Sequence, residues 1–206
     1  MAFDFPAAVD VRSDIGRLFR REWERLARPG TWFGGADRVA IATAARAART
    51  PGAPPVNHEL VEAAETVAAR PATIRRRWVQ SVTREIGFAP YVELVGVVSR
   101  LVAIDAFHVA IGAPLEPLPE PERGEPSRIE ERAARPGAAW VPMVGGASIT
   151  QALSLVDAEA SAQEDMHGPL YLTYEEMAEL DYVRGLSRAQ MELVAARTSA
   201  INECFY

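Results

Sequence analysis

The chain has 206 residues, 49% of them hydrophobic and 24% charged, with a formal net charge of −6. That length supports one or two domains with a buried core, and that composition excludes wholesale disorder. The single cysteine, Cys204, excludes an internal disulfide or a multi-cysteine metal centre within one chain, and the acidic balance leaves no basic footprint for nucleic acid.

Helical signals dominate from the start. Ile15, Leu18, Phe19, Trp23 and Leu26 recur at helical spacing and predict a helix over Asp14–Leu26, stopped by Pro29-Gly30. An alanine-rich helix over Ala36–Arg49 ends at Pro51-Gly52. Asn57 is placed to cap a helix from His58 to Arg70, which Pro71 closes. A helix over Thr73–Ile86 ends near Gly87. The longest one follows, with Pro90 in its first turn and Gly112 just past its end.

This longest segment, Tyr91–Gly112, is the most apolar in the chain. Glu93, Arg100, Asp105 and His108 interrupt it, so it reads as a buried core helix and not as a membrane span. Met1–Asp10 holds acidic residues and no apolar signal core. Both features predict a cytoplasmic protein without a membrane partner.

Seven of the fifteen prolines lie between Pro114 and Pro142, and Pro117-Leu-Pro-Glu-Pro121 should be extended and semi-rigid. This stretch is the strongest candidate boundary. Ser127-x-x-Glu130 fits a capping box for a short helix. Beyond it, a helix is expected over Ile149–Met166, stopped by Gly168-Pro169, and His167 reads as a loop residue. Thr173-x-x-Glu176 opens a helix to about Val183, and Ser187-x-x-Gln190 opens one to Asn202 or further. The nearest approach to a strand, Trp140–Val144, is short and contains Pro142. The fold class is all-α.

All 22 basic residues are arginine, which removes lysine Schiff-base and P-loop chemistry. Arg75-Arg76-Arg77-Trp78 reads as a solvated face with its stems packed over the core. Asp105 and His108, three apart on one helix, read as a buried hydrogen-bonded pair; two ligands do not make a metal site.

The most specific pattern is Leu186-Ser-Arg-Ala-Gln-Met-Glu-Leu-Val-Ala-Ala-Arg-Thr-Ser-Ala-Ile-Asn-Glu-Cys-Phe-Tyr206. It resembles the alkylhydroperoxidase D-like, or carboxymuconolactone decarboxylase-like, superfamily. The thiol peroxidases of that family carry a glutamate, eleven residues, then Cys-x-x-Cys-x-x-x-His, and Glu192 and Cys204 stand at that separation. The resemblance implies an all-α alkylhydroperoxidase-like bundle and thiol-dependent peroxide reduction without a cofactor or metal. It implies Glu192 in a proton relay and Cys204 as the first, usually resolving, cysteine, the second being the one that attacks peroxide. It also implies a homo-oligomer and a dithiol reductant protein as partner.

The pattern's second cysteine and its histidine would fall three and seven residues after Cys204, beyond Tyr206. Peroxidase turnover is therefore expected only where the motif is completed, or where a thiol is supplied in trans. With the Tyr206 carboxylate nearby, Cys204 is expected to be a poor thiolate. The alternative is a non-catalytic oligomerisation or regulatory module on the same scaffold.

A shift of 153 residues lays Gly35-Ala-Asp-Arg-Val-Ala-Ile-Ala on Arg188-Ala-Gln-Met-Glu-Leu-Val-Ala without gaps. Glu192 then falls on Val39 and Cys204 on Pro51. The positions of the second cysteine and the histidine fall on Pro54 and His58. This alignment predicts a tandem repeat. Residues 1–112 form a degenerate copy with a pseudo-site at Pro51, Pro54 and His58; residues 113–146 form a proline-rich linker; and residues 147–206 form the front half of a second copy.

Overall fold

The structure is a computed structural model that describes Phe3, Phe5 and residues 9–56, 58–129, 131–145 and 151–201. It is all-α. The helices are α1 (Ser13–Ala27), α2 (Gly35–Ala48), α3 (Val61–Ala69), α4 (Arg76–Ile86), α5 (Phe88–Ala110), α6 (Asp157–Leu170), α7 (Tyr174–Ala178) and α8 (Arg188–Ile201). One antiparallel pair of two-residue strands, β1 (Val183–Arg184) and β2 (Leu186–Ser187), turns at Gly185, whose φ of 74° suits glycine. Among the described residues no helix is long and apolar enough to cross a membrane.

The main core forms where α1, α2, α3, α5 and α6 meet. α1 contributes the stripe that its spacing predicts, burying Ile15, Leu18, Phe19, Trp23 and Leu26. α2 has little bulk. Its Ala42, Ala44 and Ala45 are fully buried and let α3 and α5 approach closely. α5 is buried over most of its circumference, including Leu94, Val98, Leu101 and Ile104. α6 lies on α1 and α5 and adds Met166 to the same core. A smaller core joins Val92 of α5 to Leu153, Leu155 and Val156.

The proline-rich stretch is extended and strapped to these helices. Trp23 Nε1 donates to the Pro117 carbonyl at 2.8 Å, Arg46 Nη1 to Glu116 at 2.9 Å, and His108 Nδ1 to Pro114 at 2.7 Å. Glu122 N–H bonds to Ala27 O at 2.8 Å. No described residue of this stretch forms the short helix expected at Ser127. Its backbone donors are taken instead: Ser127 N–H by Gly30 O and Arg128 N–H by Thr31 O. Arg128 adopts a φ of 57° and stacks its guanidinium over Trp32. Glu130, the other half of that box, lies outside the described residues.

Several helix ends differ from expectation. α3 begins at Val61, and the Leu60 N–H is taken by His58 Nδ1 at 3.2 Å; Asn57, the expected cap, lies outside the described residues. A 3₁₀ turn over Pro71–Thr73 delays α4 to Arg76. α6 begins only at Asp157 and runs through Gly168-Pro169 to Leu170, so His167 is helical. α7 stops at Ala178 and gives way to the β1–β2 turn. Trp140–Val144 forms no strand; Met143 makes an isolated bridge with Arg135.

Candidate functional site

Glu192 lies in the first half of α8. Its N-terminal cap is the predicted box: Ser187 N–H donates to Gln190 Oε1 at 2.9 Å and Gln190 N–H to Ser187 Oγ at 3.4 Å. Arg188 and Glu192 are one turn apart, and Arg188 Nε donates to Glu192 Oε1 at 2.6 Å. The same oxygen accepts the Tyr171 hydroxyl at 2.6 Å. The ring of Tyr171 in turn meets His167 edge-on, with centroids 5.5 Å apart.

The Glu192 side chain is about half exposed, with 48% of its surface open to solvent. The hydrogen bond from Tyr171, followed by that from Arg188, holds its carboxyl below the ordinary range. Partial burial and the bond to Glu192 push the Tyr171 phenol up. At neutral pH, therefore, Glu192 is an anion that accepts and Tyr171 is a neutral donor. Cys204, the thiol paired with Glu192 in the sequence pattern, lies outside the described residues, as does Tyr206.

The pseudo-site residues fall on the loop between α2 and α3. Pro54 lines a groove of about 470 Å3 with Thr43, Arg46 and Leu118, while Pro51 is exposed. His58 Nε2 lies 3.4 Å from Asp37 Oδ1 on the first turn of α2, and its Nδ1 is occupied by the Leu60 N–H. The structure therefore brings His58 to a carboxylate.

Asp105 and His108 are both buried, yet they do not bond each other. Arg46 takes Asp105 bidentately at 2.9 and 2.7 Å, and His108 is spent on Pro114. Among the described residues no cluster of histidine, cysteine and carboxylate side chains is placed to hold a metal ion.

The largest concentration of buried charge was not visible in the sequence. Arg38 of α2, Glu93 and Arg100 of α5, Glu159 of α6 and Glu22 of α1 are each at most 5% exposed. Arg38 Nη1 bonds Glu93 Oε1 and, at 3.0 Å, Glu159 Oε1. Arg100 Nη2 bonds the other Glu159 oxygen at 2.5 Å, and its Nε lies 3.1 Å from Glu22 Oε2. Trp32 N–H closes on Glu93 Oε2 at 2.6 Å, and Arg25 pairs with Glu22 at the rim. A cavity of about 10 Å3 lies beside Glu22, Arg38 and Arg100, close to the room one water needs.

Burial sets the protonation of these carboxyls first. It pushes Glu22 and Glu93 up, and their arginine partners offset only part of that. At Glu159 burial also works against ionisation, but Arg100 and Arg38 together outweigh it and leave the group below its ordinary range. Each carboxylate faces an arginine, and the cluster ties four helices together; among the described residues Glu22 Oε2, Arg38 Nε and Arg100 Nη1 make no hydrogen bond. Glu93 and Arg100, seven apart on a largely apolar helix with Gly96 between them, are its trace in the sequence.

α2 and α8 invite comparison. Both are 14 residues long, and their bounds coincide at the 153-residue shift. Their caps coincide too: Gly34 N–H donates to Asp37 at the position where Ser187 N–H donates to Gln190. Their surroundings are opposite. α2 buries Ile41, Ala42, Ala44 and Ala45, whereas none of α8 is buried. Leu193, Val194 and Ile201 are 71%, 58% and 66% exposed. Met191, Val194 and Ala195 line a groove of about 280 Å3 shared with Leu170, Tyr171 and Leu186, and Arg188 donates to the Met177 carbonyl at 2.9 Å. No family model, curated protein or solved structure matches the chain.

Proposed function

We propose that this chain is an oligomeric alkylhydroperoxidase-like protein, built on a repeat, in which α8 presents Glu192 and is covered by a second copy of the chain. The exposed apolar residues of α8, set against the buried face of its counterpart α2, carry this reading. Val194 stands in water where its counterpart Ile41 is buried, while Leu193 and Ile201 fall on the half-buried Ala40 and Ala48. Leu193, Val194 and Ile201 are exposed apolar side chains, a pair and a single residue two turns on, with Arg197 and Thr198 between them. A self-complementary patch closed by two-fold symmetry is the commonest way a soluble chain covers such residues. The shared length and capping offset of α2 and α8 support the repeat.

The chemistry proposed for this face is thiol-dependent peroxide reduction. A thiolate supplied in trans attacks the O–O bond, becoming a sulfenic acid and releasing an alcohol, and Cys204 condenses with that sulfenic acid, expelling water and forming a disulfide. A dithiol reductant then reduces this disulfide by two thiol–disulfide exchanges and becomes a disulfide itself. Glu192, held as an anion by Tyr171 and Arg188, is the carboxylate able to accept and return the proton. Peroxide consumption with a dithiol reductant tests this step. It should fall to background in Cys204→Ser and drop at least about tenfold in Glu192→Gln, within the range for loss of a positioned acid–base group. Equal rates in all three chains would leave the alternative, a non-catalytic assembly module on the same scaffold.

A further inference from the structure

A groove of about 450 Å3 runs between α4 and α5 on one side and Ala138–Val141 with Ala152 and Leu153 on the other. That volume lies within the range of small-molecule sites, roughly 300–1,000 Å3. Val79, Val92 and Leu153 form its buried floor, and Trp140, 43% exposed, forms an aromatic outer wall. Among the described residues no charged side chain lines it, and Arg76 donates to the Ala138 carbonyl at 3.5 Å.

One polar group breaks this apolar lining. Tyr91 is only 7% exposed, and its ring packs edge-on against Trp78 with centroids 6.2 Å apart. Its hydroxyl makes no hydrogen bond among the described residues. Burial pushes the phenol up to about 12, so it remains a neutral donor throughout the ordinary pH range. A hydroxyl with no protein partner in an apolar wall gains an acceptor from a ligand that arrives with an apolar body.

The other candidate places are already accounted for. The cleft beside Arg21, Arg25 and Arg28 has its cations engaged by Asp165, Glu22, Glu24 and Glu122. The cavity beside Arg38 is too small for more than a water, and the face of α8 belongs to the reading above.

We propose that this groove binds a small, uncharged, planar aromatic molecule bearing a carbonyl-type acceptor. The acceptor takes the Tyr91 hydroxyl, and the ring lies between Val92 and Leu153 on one side and Trp140 on the other. An anion is disfavoured because nothing in the lining compensates its desolvation.

Titrating acetophenone, ethylbenzene and benzoate into the full chain tests this, followed by tryptophan fluorescence and by methyl NMR of Val92, Val95 and Leu153. Acetophenone should bind saturably and about 2- to 12-fold more tightly than ethylbenzene, the span of one net hydrogen bond. Benzoate should bind more weakly than either. Tyr91→Phe, with thermal unfolding measured in parallel, should bring acetophenone and ethylbenzene to equal affinity while leaving ethylbenzene unchanged. Ala139→Phe, which fills the groove from its outer wall, should abolish both. Non-saturable shifts, an unchanged preference in Tyr91→Phe, or saturable shifts that spare Val92, Val95 and Leu153 would overturn the proposal.

Discussion

Arg38 and Glu159 are 121 residues apart in the chain and 3.0 Å apart in the fold, and neither is more than 2% exposed. Glu159 uses both oxygens, one for Arg38 and one for Arg100, and so joins α6 to α2 and α5. Breaking a buried pair from one side strands a charge that costs more than the pair itself contributes. Arg38→Met leaves Glu93 and Glu159 facing each other without their shared cation. Urea unfolding should show a loss of about 3–5 kcal/mol. The exposed change Arg77→Met should alter stability by no more than about 0.5 kcal/mol.

Gly96 provides the room for that network. A Cβ there would collide with the Glu159 carboxylate and press on Arg100, and neither buried side chain can withdraw. Gly96→Ala is therefore expected to destabilise by about 1–3 kcal/mol, although alanine is the better helix former. A gain in thermal stability for Gly96→Ala would mean that the charged cluster yields more readily than its burial indicates.

The same carboxyls give opposite pH dependences. Glu159, held below its ordinary value of 4.5, contributes stability that is present above that value and lost as pH falls through its folded-state pKa. Glu22 and Glu93, raised by burial, act the other way. The folded chain takes up their protons first, so stability from them rises as pH falls towards 4.5. The stability gap between the wild type and Glu159→Gln should accordingly be widest at neutral pH and narrow below 4.5. A gap independent of pH would show that Glu159 is not ionised in the fold.

At Glu192 the prediction concerns titration and not stability. Tyr171→Phe removes the foremost cause of its low pKa. Carboxyl NMR should then show Glu192 titrating closer to 4.5, with Arg188 alone holding it down. The melting temperature should barely move, because the pair is exposed.

What could be read in one dimension followed how local the cause was. α5 was legible because a long apolar run between Gly87 and Gly112 has few other readings. α7 and α8 announced themselves through the boxes at Thr173 and Ser187, whose partners lie three residues on. The helix expected at Ser127 failed for a nonlocal reason: its amides are taken by carbonyls almost a hundred residues earlier. Gly168-Pro169 predicts a stop, and α6 ends one residue beyond it, at Leu170. At the candidate site, Glu192 was visible from its spacing to Cys204, whereas Tyr171, 21 residues upstream, left no signal. The buried charges were the least legible. Arginine and glutamate usually mean surface, and only the packing of four helices brings Glu22, Arg38, Glu93, Arg100 and Glu159 together.

The central claim is that a second copy of the chain covers α8, and sedimentation equilibrium of the full chain tests it most directly. The wild type should be a dimer or larger, and Leu193→Glu and Val194→Glu should each shift it to monomer with its helical circular dichroism retained and its melting temperature no longer dependent on concentration. A wild type that stays monomeric at the highest concentration reached, or variants that assemble as the wild type does, would contradict the account.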